Sequence, residues 1–179
     1  MKKFEVLDGL PPYGPMYISV TNNEIPDYSE GFVVRLFKSD GTSWVGNFKR
    51  GWTSFKAVYE LQNVASVLII AYGTAYLVDP NNIQPVDVFG VDYSAAVTTK
   101  NHQIVLEGLT WLTIVEPTGA FRNSKGISLD GLSNLAIQDN IVSGLAYLPG
   151  KMHNDWVEYT YDIETDTVQY SYSSRHKWT

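Results

Sequence analysis

The alternation of apolar and polar positions is strongest near the C-terminus, from Trp156 to Ile163. Every second residue there is apolar, and the set is continued beyond a turn at Glu164–Asp166. A strict period of two is what a strand with one buried face produces, so the pattern predicts a β-hairpin. The apolar positions are Val157, Tyr159, Tyr161, Ile163, Val168, Tyr170 and Tyr172.

Turn residues punctuate the chain every ~8–12 residues from Gly31 onward, a spacing typical of all-β proteins. Ser39–Gly41, Gly73 and Asp139–Asn140 are hairpin turns of this kind, because these residue types tolerate positive φ. The pattern predicts an all-β fold, an antiparallel meander of many short strands. A recurring Gly-x-x-Trp strand start favours a propeller-like architecture over a β-sandwich.

The N-terminal segment reads differently from the rest. Four of the eight prolines precede residue 30, and we expect residues 1–30 to form an arm that packs on the body. Residues 31–179 are expected to form a single all-β domain. One stretch, Ser54–Gln62, could form a helix instead of a strand. It places Phe55, Val58 and Tyr59 at helical spacing, although it spans barely two turns.

Composition supports the strand assignment. Val, Ile and Thr number 42 and the aromatic residues 24, against 9 Ala, and β-branched and aromatic residues are the types that pack well on a pleated sheet. The hydrophobic fraction of 44% is that of a globular protein. The chain has no Cys, which excludes disulfides, thiolate metal sites and cysteine nucleophiles.

Charge and hydropathy narrow the class of partner. With 13 basic and 19 acidic residues the net charge is −6, so we expect no binding to nucleic acid, whose phosphates the chain would repel. The longest apolar run, Val67–Tyr72, is six residues, whereas a helix needs about 20 to cross a bilayer. No targeting segment is recognisable. We therefore expect a cytoplasmic protein without a membrane partner.

Residues that carry chemistry are scattered. His102, His153 and His176 are far apart, and Ser128 sits in a near miss of the G-x-S-x-G motif with Asp130 in place of the second glycine. Carboxylates occur at strand ends and turns, where aspartates are common for structural reasons. We therefore expect no catalytic residue, no metal site and no cofactor. The turn carboxylates are Asp79, Asp87, Asp92, Asp130, Asp155 and Asp162.

Tryptophan supplies the clearest hint of a contact surface. Trp156 falls on the polar face of its predicted strand, opposite the tyrosines. An exposed Trp on a sheet is an effective anchor for a partner, although a second layer covering that face would make Trp156 a core residue. The candidate partner-contact residues are Trp156, its neighbours Asp155 and His153, and Trp52.

Four strand-and-turn stretches carry a resemblance to known proteins: Ala75–Pro80, Ile127–Leu132, Ile141–Ala146 and Asp155–Tyr159. They resemble motifs of uncharacterised small bacterial all-β proteins, over about residues 65–172. Some of those proteins are similar to neighbours of toxin genes, which implies an immunity-type, non-enzymatic role. The shared motifs are turn and packing signals, so the resemblance assigns no catalytic residue.

These observations lead to one expected function and two alternatives. The expectation is a non-enzymatic binding protein that acts on a protein partner in an immunity-like way, its acidity favouring a basic partner. The first alternative is a hydrolase that acts on carbohydrate through a carboxylate pair in a cleft. The second is a structural scaffold assembled through sheet edges. The sequence leaves the oligomeric state open.

Overall fold

A computed structural model describes residues 2–13, 17–21, 29–150 and 154–171, with the side chains of residues 154 and 155 left undescribed. The described residues form sixteen β-strands and no helix. Contacts group the chain into two compact units, Met1–Tyr93 and Ser94–Thr179. Each unit contains two four-stranded sheets.

Among the described residues there is no helical segment with the length and hydropathy that crossing a bilayer requires.

The N-terminal unit begins with a sheet whose strand order is β1-β3-β4-β2. All pairings are antiparallel except that β2 runs parallel to β4. The second sheet, β5 to β8, follows the order of the chain. The strands are β1 (Phe4–Val6), β2 (Ile18–Val20), β3 (Phe32–Phe37), β4 (Ser43–Phe48), β5 (Lys56–Glu60), β6 (Val67–Ala71), β7 (Thr74–Val78) and β8 (Asp87–Phe89).

The C-terminal unit contains two antiparallel meanders. The first has the order β12-β11-β10-β9 and the second β13-β14-β15-β16. The strands are β9 (Ala95–Thr98), β10 (Ile104–Glu107), β11 (Leu112–Val115), β12 (Phe121–Asn123), β13 (Leu132–Gln138), β14 (Ile141–Pro149), β15 (Asn154–Asp162) and β16 (Thr167–Ser171).

The predicted fold class is confirmed. Three of the four sheets are meanders of four consecutive strands, which is the form of a blade in a propeller. The predicted turns at Ser39–Gly41, Gly73 and Asp139–Asn140 join β3 to β4, β6 to β7 and β13 to β14. Each pairing of consecutive strands is local in sequence, as a meander requires.

Each unit buries its own apolar core between its two sheets. In the N-terminal unit the ring of Phe48 on β4 meets that of Tyr76 on β7 edge-on, at 5.2 Å between centroids. The buried Trp44 donates its Nε1–H to the Pro80 carbonyl at 2.8 Å, so its polar atom is satisfied. In the C-terminal unit, Val105, Leu112 and Ile114 pack with residues of the second meander.

The helix that competed for Ser54–Gln62 is wrong, because β5 occupies this stretch. Val58 pairs with Ile69 and Tyr59 with Leu68 on the buried strand β6. Two turns of helix have no stability of their own, whereas a β-branched and an aromatic side chain gain packing against an adjacent buried strand.

The segment expected to be an arm contributes β1 and β2 to the first sheet, where they pair with β3 and β4. Residues 14–16 and 22–28 of this segment lie outside the described residues. The division of the chain into an arm and one domain over residues 31–179 stays a prediction.

Two turn glycines have positive φ but different surroundings. Gly73, at φ 97°, lies so close to two neighbouring segments that a Cβ would sit 2.8 Å from the Val91 carbonyl oxygen and 2.7 Å from the Thr53 hydroxyl oxygen. Gly41, at φ 84°, has open space around it. The first glycine is needed for both conformation and room, the second for conformation alone.

Replacing Gly73 by Ala is expected to lower the free energy of unfolding well beyond the effect of Gly41→Ala. Gly41→Ala carries only the cost of a left-handed Ala, about 1 kcal/mol. Gly73→Ala adds the overlap with backbone and hydroxyl oxygens, about 1–3 kcal/mol more. Urea denaturation followed by circular dichroism measures both, and equal losses would show that the close approach at Gly73 is absent.

Candidate functional site

The sheet β13–β16 has two faces of opposite character. One face buries Val142, Ala146, Val157, Tyr159 and Tyr161 in the core of the C-terminal unit. The residues between them point the other way, and we call this side the outer face. On the three last strands it includes Ser143, Leu145, Tyr147, Trp156, Glu158, Thr160, Gln169 and Ser171.

Strand register arranges the outer face in rows. Leu145 pairs with Glu158, which pairs with Ser171. The row on one side is Ser143, Thr160 and Gln169, and the row on the other side begins with Tyr147 paired to Trp156. Neighbouring rows are two residues apart along each strand, about 7 Å. The aromatic pair therefore directly adjoins the polar rows.

Trp156 is held in place while remaining half exposed, at 49% of its surface. Its ring packs against Tyr147 at 5.5 Å between centroids. Gly131 lies next to both side chains: a Cβ there would stand 3.0 Å from the Trp156 Cη2 atom and 3.7 Å from the Tyr147 Cβ atom. The bare glycine makes room for the indole, and packing on Tyr147 restricts its motion. Little side-chain entropy remains to be lost when a partner covers Trp156.

A depression of about 740 Å³ lies in the outer face beside this aromatic pair. It lies next to a bulge in β13. There the pairing with β14 shifts between Ser133 and Ala136, and Asn134 adopts φ 60°. A bulge bends its strand and re-aims side chains, which makes a flat sheet locally concave. The lining residues are Asn134, Ser143, Gly144, Leu145, Glu158, Tyr159, Thr160, Gln169, Tyr170 and Ser171.

Charge on the outer face is negative. Glu158 is the one charged residue among those that line the depression. Asp162 lies on the same face of β15, where the backbone amides of Glu164 and Thr165 hold the pKa of its carboxyl below the ordinary value. The described part of this face therefore offers carboxylates, hydroxyls and amides to a ligand.

A buried carboxyl group, that of Glu107 on β10, lies in the other sheet of the C-terminal unit, close to Leu135 and Tyr159. Glu107 is 3% exposed and accepts a hydrogen bond of 2.8 Å from the Ser94 hydroxyl. Burial raises the pKa of Glu107, and the Ser94 hydroxyl and the Leu135 amide oppose this only in part. Among the described residues, its Oε2 and the Tyr159 hydroxyl have no hydrogen-bond partner. Burial and the Glu107 charge together raise the pKa of Tyr159.

The predicted contact residues have different outcomes. Trp156 is half exposed on the outer face, and Asp155 is its neighbour on β15 with a side chain outside the described residues. His153 also lies outside them. Trp52 belongs to the N-terminal unit, in the loop before β5, and is 83% exposed. A role in partner contact stays a prediction for all four.

Three of the residues considered for chemistry, Ser128, Asp79 and His102, lie in loops or turns. Ser128 is buried, and its hydroxyl lies 2.6 Å from the Gly131 carbonyl oxygen and 2.9 Å from the Tyr147 carbonyl oxygen, either of which can accept its hydrogen. Asp79 accepts from the side chains of Asn81 and Asn82 in the turn after β7. His102 occupies a turn with φ 62°. Within the described ranges, no three His, Asp or Glu residues are grouped so that they could hold a metal ion.

Sequence reasoning missed the depression itself. Asn134, Ser143 and Gln169 are ordinary polar residues in the sequence, and the β13 bulge leaves no pattern there. Gly144 was the available signal, because a glycine inside a strand often marks a bulge or a close approach. A Cβ there would lie 2.7 Å from the Ser133 carbonyl oxygen and 2.9 Å from the Tyr159 ring.

Comparison with known proteins adds little to this geometry. No family model matches the chain, and no curated protein matches it. Two solved structures show distant similarity. One is a crystal structure of the N-terminal domain of Nup159, with a TM-score of 0.46 and 10% identity. The other is a chain in the complex of a S. cerevisiae Dbp5 variant with Nup159, a Gle1 variant, IP6 and ADP, with a TM-score of 0.45 and 11% identity. Each match covers 69% of this chain and 35% of the other.

This chain thus spans about a third of those structures. The all-β fold class is shown by the sixteen strands and four sheets that the described residues of this chain form.

Glu107→Gln is expected to change how stability depends on pH. Because the folded-state pKa of Glu107 is raised, ionisation is disfavoured in the fold. Below the unfolded value, near 4.5, wild type and variant have matching pH dependence. As pH rises above it, wild type loses free energy of unfolding relative to the variant, until pH passes the raised folded value.

Urea denaturation from pH 4 to pH 8 measures this difference. Glu60→Gln, a change of the same kind at an exposed position of β5, is measured beside it as the control for the loss of one carboxyl group. A wild-type advantage that grows with pH would mean that the fold stabilises the Glu107 carboxylate rather than penalising it.

Proposed function

We propose that this chain is a non-enzymatic binding protein that contacts a protein partner through the outer face of β13–β16. The observation that carries the proposal is Trp156, half exposed and packed on Tyr147 beside a polar depression. Tryptophans held in this way are over-represented among the residues that dominate binding energy at protein interfaces.

The chemistry of the depression supports a basic partner. A Lys or Arg side chain entering it would lay its apolar stem against Leu145 and bring its charge to Glu158. The hydroxyl and amide groups of the lining would take the remaining donors. Such a contact beside Trp156 combines an apolar anchor with a paired charge, which gives affinity and selectivity together.

Net charge supports the same kind of partner. At −6 the chain attracts a basic protein over several ångströms and speeds the encounter at low ionic strength. An immunity-type role in the cytoplasm, in which the chain covers a basic partner, is the biological setting that the proposal takes from the resemblance of its strand-and-turn motifs.

The carbohydrate hydrolase alternative finds less support. A glycosidase needs two carboxyl groups across one cleft. The described lining of the depression contains one, Glu158, and the buried Glu107 is not among the lining residues. The geometry therefore favours binding over hydrolysis at this face.

Trp156→Ala is expected to weaken binding of the partner about 30-fold, the loss typical of a central tryptophan at an interface. Glu158→Gln is expected to weaken it less and to reduce the dependence of the association rate on salt. Immobilised wild type captures the partner from extracts of the native cell, and the purified partner is then titrated against each variant.

Two matched variants control for general effects. Trp111→Ala removes a tryptophan that is 44% exposed next to β11 on another sheet, and Glu60→Gln removes an exposed carboxylate of β5. Both should bind as wild type does. Hydrogen exchange should show protection of β14 and β15 in the complex. Equal affinity of wild type and Trp156→Ala would exclude the outer face as the contact surface.

A further inference from the structure

The loop between β4 and β5 presents Trp52 to solvent from a fixed backbone. The Trp52 amide donates to the Val91 carbonyl at 2.7 Å. The flanking amides of Gly51 and Thr53 donate to Ala71 and Tyr72, at 3.0 and 2.9 Å. An indole that is 83% exposed leaves a large apolar surface in water, and the hydrogen-bonded backbone beneath it has little entropy left to lose when a ligand covers that surface.

Two glycines, Gly51 and Gly73, allow this loop to approach its neighbouring segments closely. A Cβ on Gly51 would lie 2.4 Å from the Val91 carbonyl oxygen and 2.7 Å from the Thr74 amide nitrogen. A Cβ on Gly73 would meet the Thr53 hydroxyl and the same Val91 oxygen. The loop, the β6–β7 turn and residue 91 therefore approach as closely as bare backbone allows.

Two cations lie over one aromatic ring at this place. The Arg50 guanidinium carbon is 3.7 Å from the centroid of the Tyr72 ring. The Lys56 Nζ lies 5.0 Å from the same centroid and 5.7 Å from that of Phe32. Trp52 is two residues from Arg50 in the sequence, and the Thr53 amide that follows it donates to the Tyr72 carbonyl, so Trp52 is a backbone neighbour of both. We call Arg50, Trp52, Lys56 and Tyr72 the cation–aromatic surface.

The donors of these cations remain available to an anion. A guanidinium carries five N–H donors, more than one ring can engage, in the planar fork that matches a carboxylate. Arg50 and Lys56 are exposed, and neither takes part in the salt bridges formed within the described ranges. A local positive surface thus exists on a chain whose net charge is −6.

We infer that the cation–aromatic surface binds an acidic peptide segment of a protein, with a carboxylate on Arg50 and an apolar or aromatic side chain against Trp52. Two neighbouring cations match one or two carboxylates, whereas a nucleic acid strand needs a basic stripe along its phosphates and is repelled by the rest of the chain. The inference is independent of the proposed function, whose surface is in the other unit and carries the opposite charge.

The test uses the full chain and two nine-residue peptides with blocked ends. The first has a central Phe between alternating Asp and Gly, and the second has Asn in place of each Asp. Titration calorimetry at low salt is expected to show binding of the acidic peptide and none of the neutral peptide. Trp52→Ala and Arg50→Gln should each weaken the acidic peptide about tenfold, and Trp52→Tyr should restore part of the loss.

Matched variants lie elsewhere on the chain. Trp111→Ala and Lys125→Gln remove an exposed tryptophan and an exposed cation of the C-terminal unit, and should bind as wild type does. All replaced side chains are exposed, so unchanged melting temperatures confirm that each variant is folded.

Three results would overturn the inference: no binding of the acidic peptide to wild type, binding that Trp52→Ala and Arg50→Gln leave unchanged, or binding of an oligothymidine in place of the peptide. None of them bears on the outer face of β13–β16, whose variants are different residues.

Discussion

Burial of the apolar faces of the four-stranded sheets is the constraint on which the rest of this structure depends. Fully buried strands such as β6, β7 and β10 supply side chains to the cores of their units, and the area they remove from water is the main favourable term in folding. Because successive side chains of a strand point to opposite faces, the intervening residues of half-buried strands must point away from the core. On β15, burying Tyr159 and Tyr161 sends Trp156 and Glu158 outward.

Close backbone approaches shape both candidate surfaces. Gly131 and Gly144 make room beside Trp156 and at the β13 bulge, and Gly51 and Gly73 bring the Trp52 loop against its neighbours. Two tryptophans are thereby exposed from ordered surroundings. The chemistry around them differs: carboxylate, hydroxyl and amide groups accompany Trp156, whereas Arg50 and Lys56 accompany Trp52.

Opposite local charge gives the two surfaces different partners in principle. A net charge of −6 describes the whole chain, but a ligand meets the groups within a Debye length of its contact, about 8 Å at physiological salt. The local arrangement of Glu158 or of Arg50 therefore decides selectivity at each surface, and the net charge mainly sets how fast a partner arrives.

The sequence by itself determined the all-β class, the C-terminal hairpin with its tyrosine face, and most turns, because period-two patterning and turn residues act locally. It also placed Trp156 on the polar face. Tertiary structure decided whether that face was covered, since exposure depends on which sheets pack together. Within Ser54–Gln62, residues Lys56–Glu60 form β5 because they pair with β6. The depression at Asn134 and the stacking of Arg50 on Tyr72 also arise only in the folded chain. Such features join residues distant in sequence, and no local pattern encodes them.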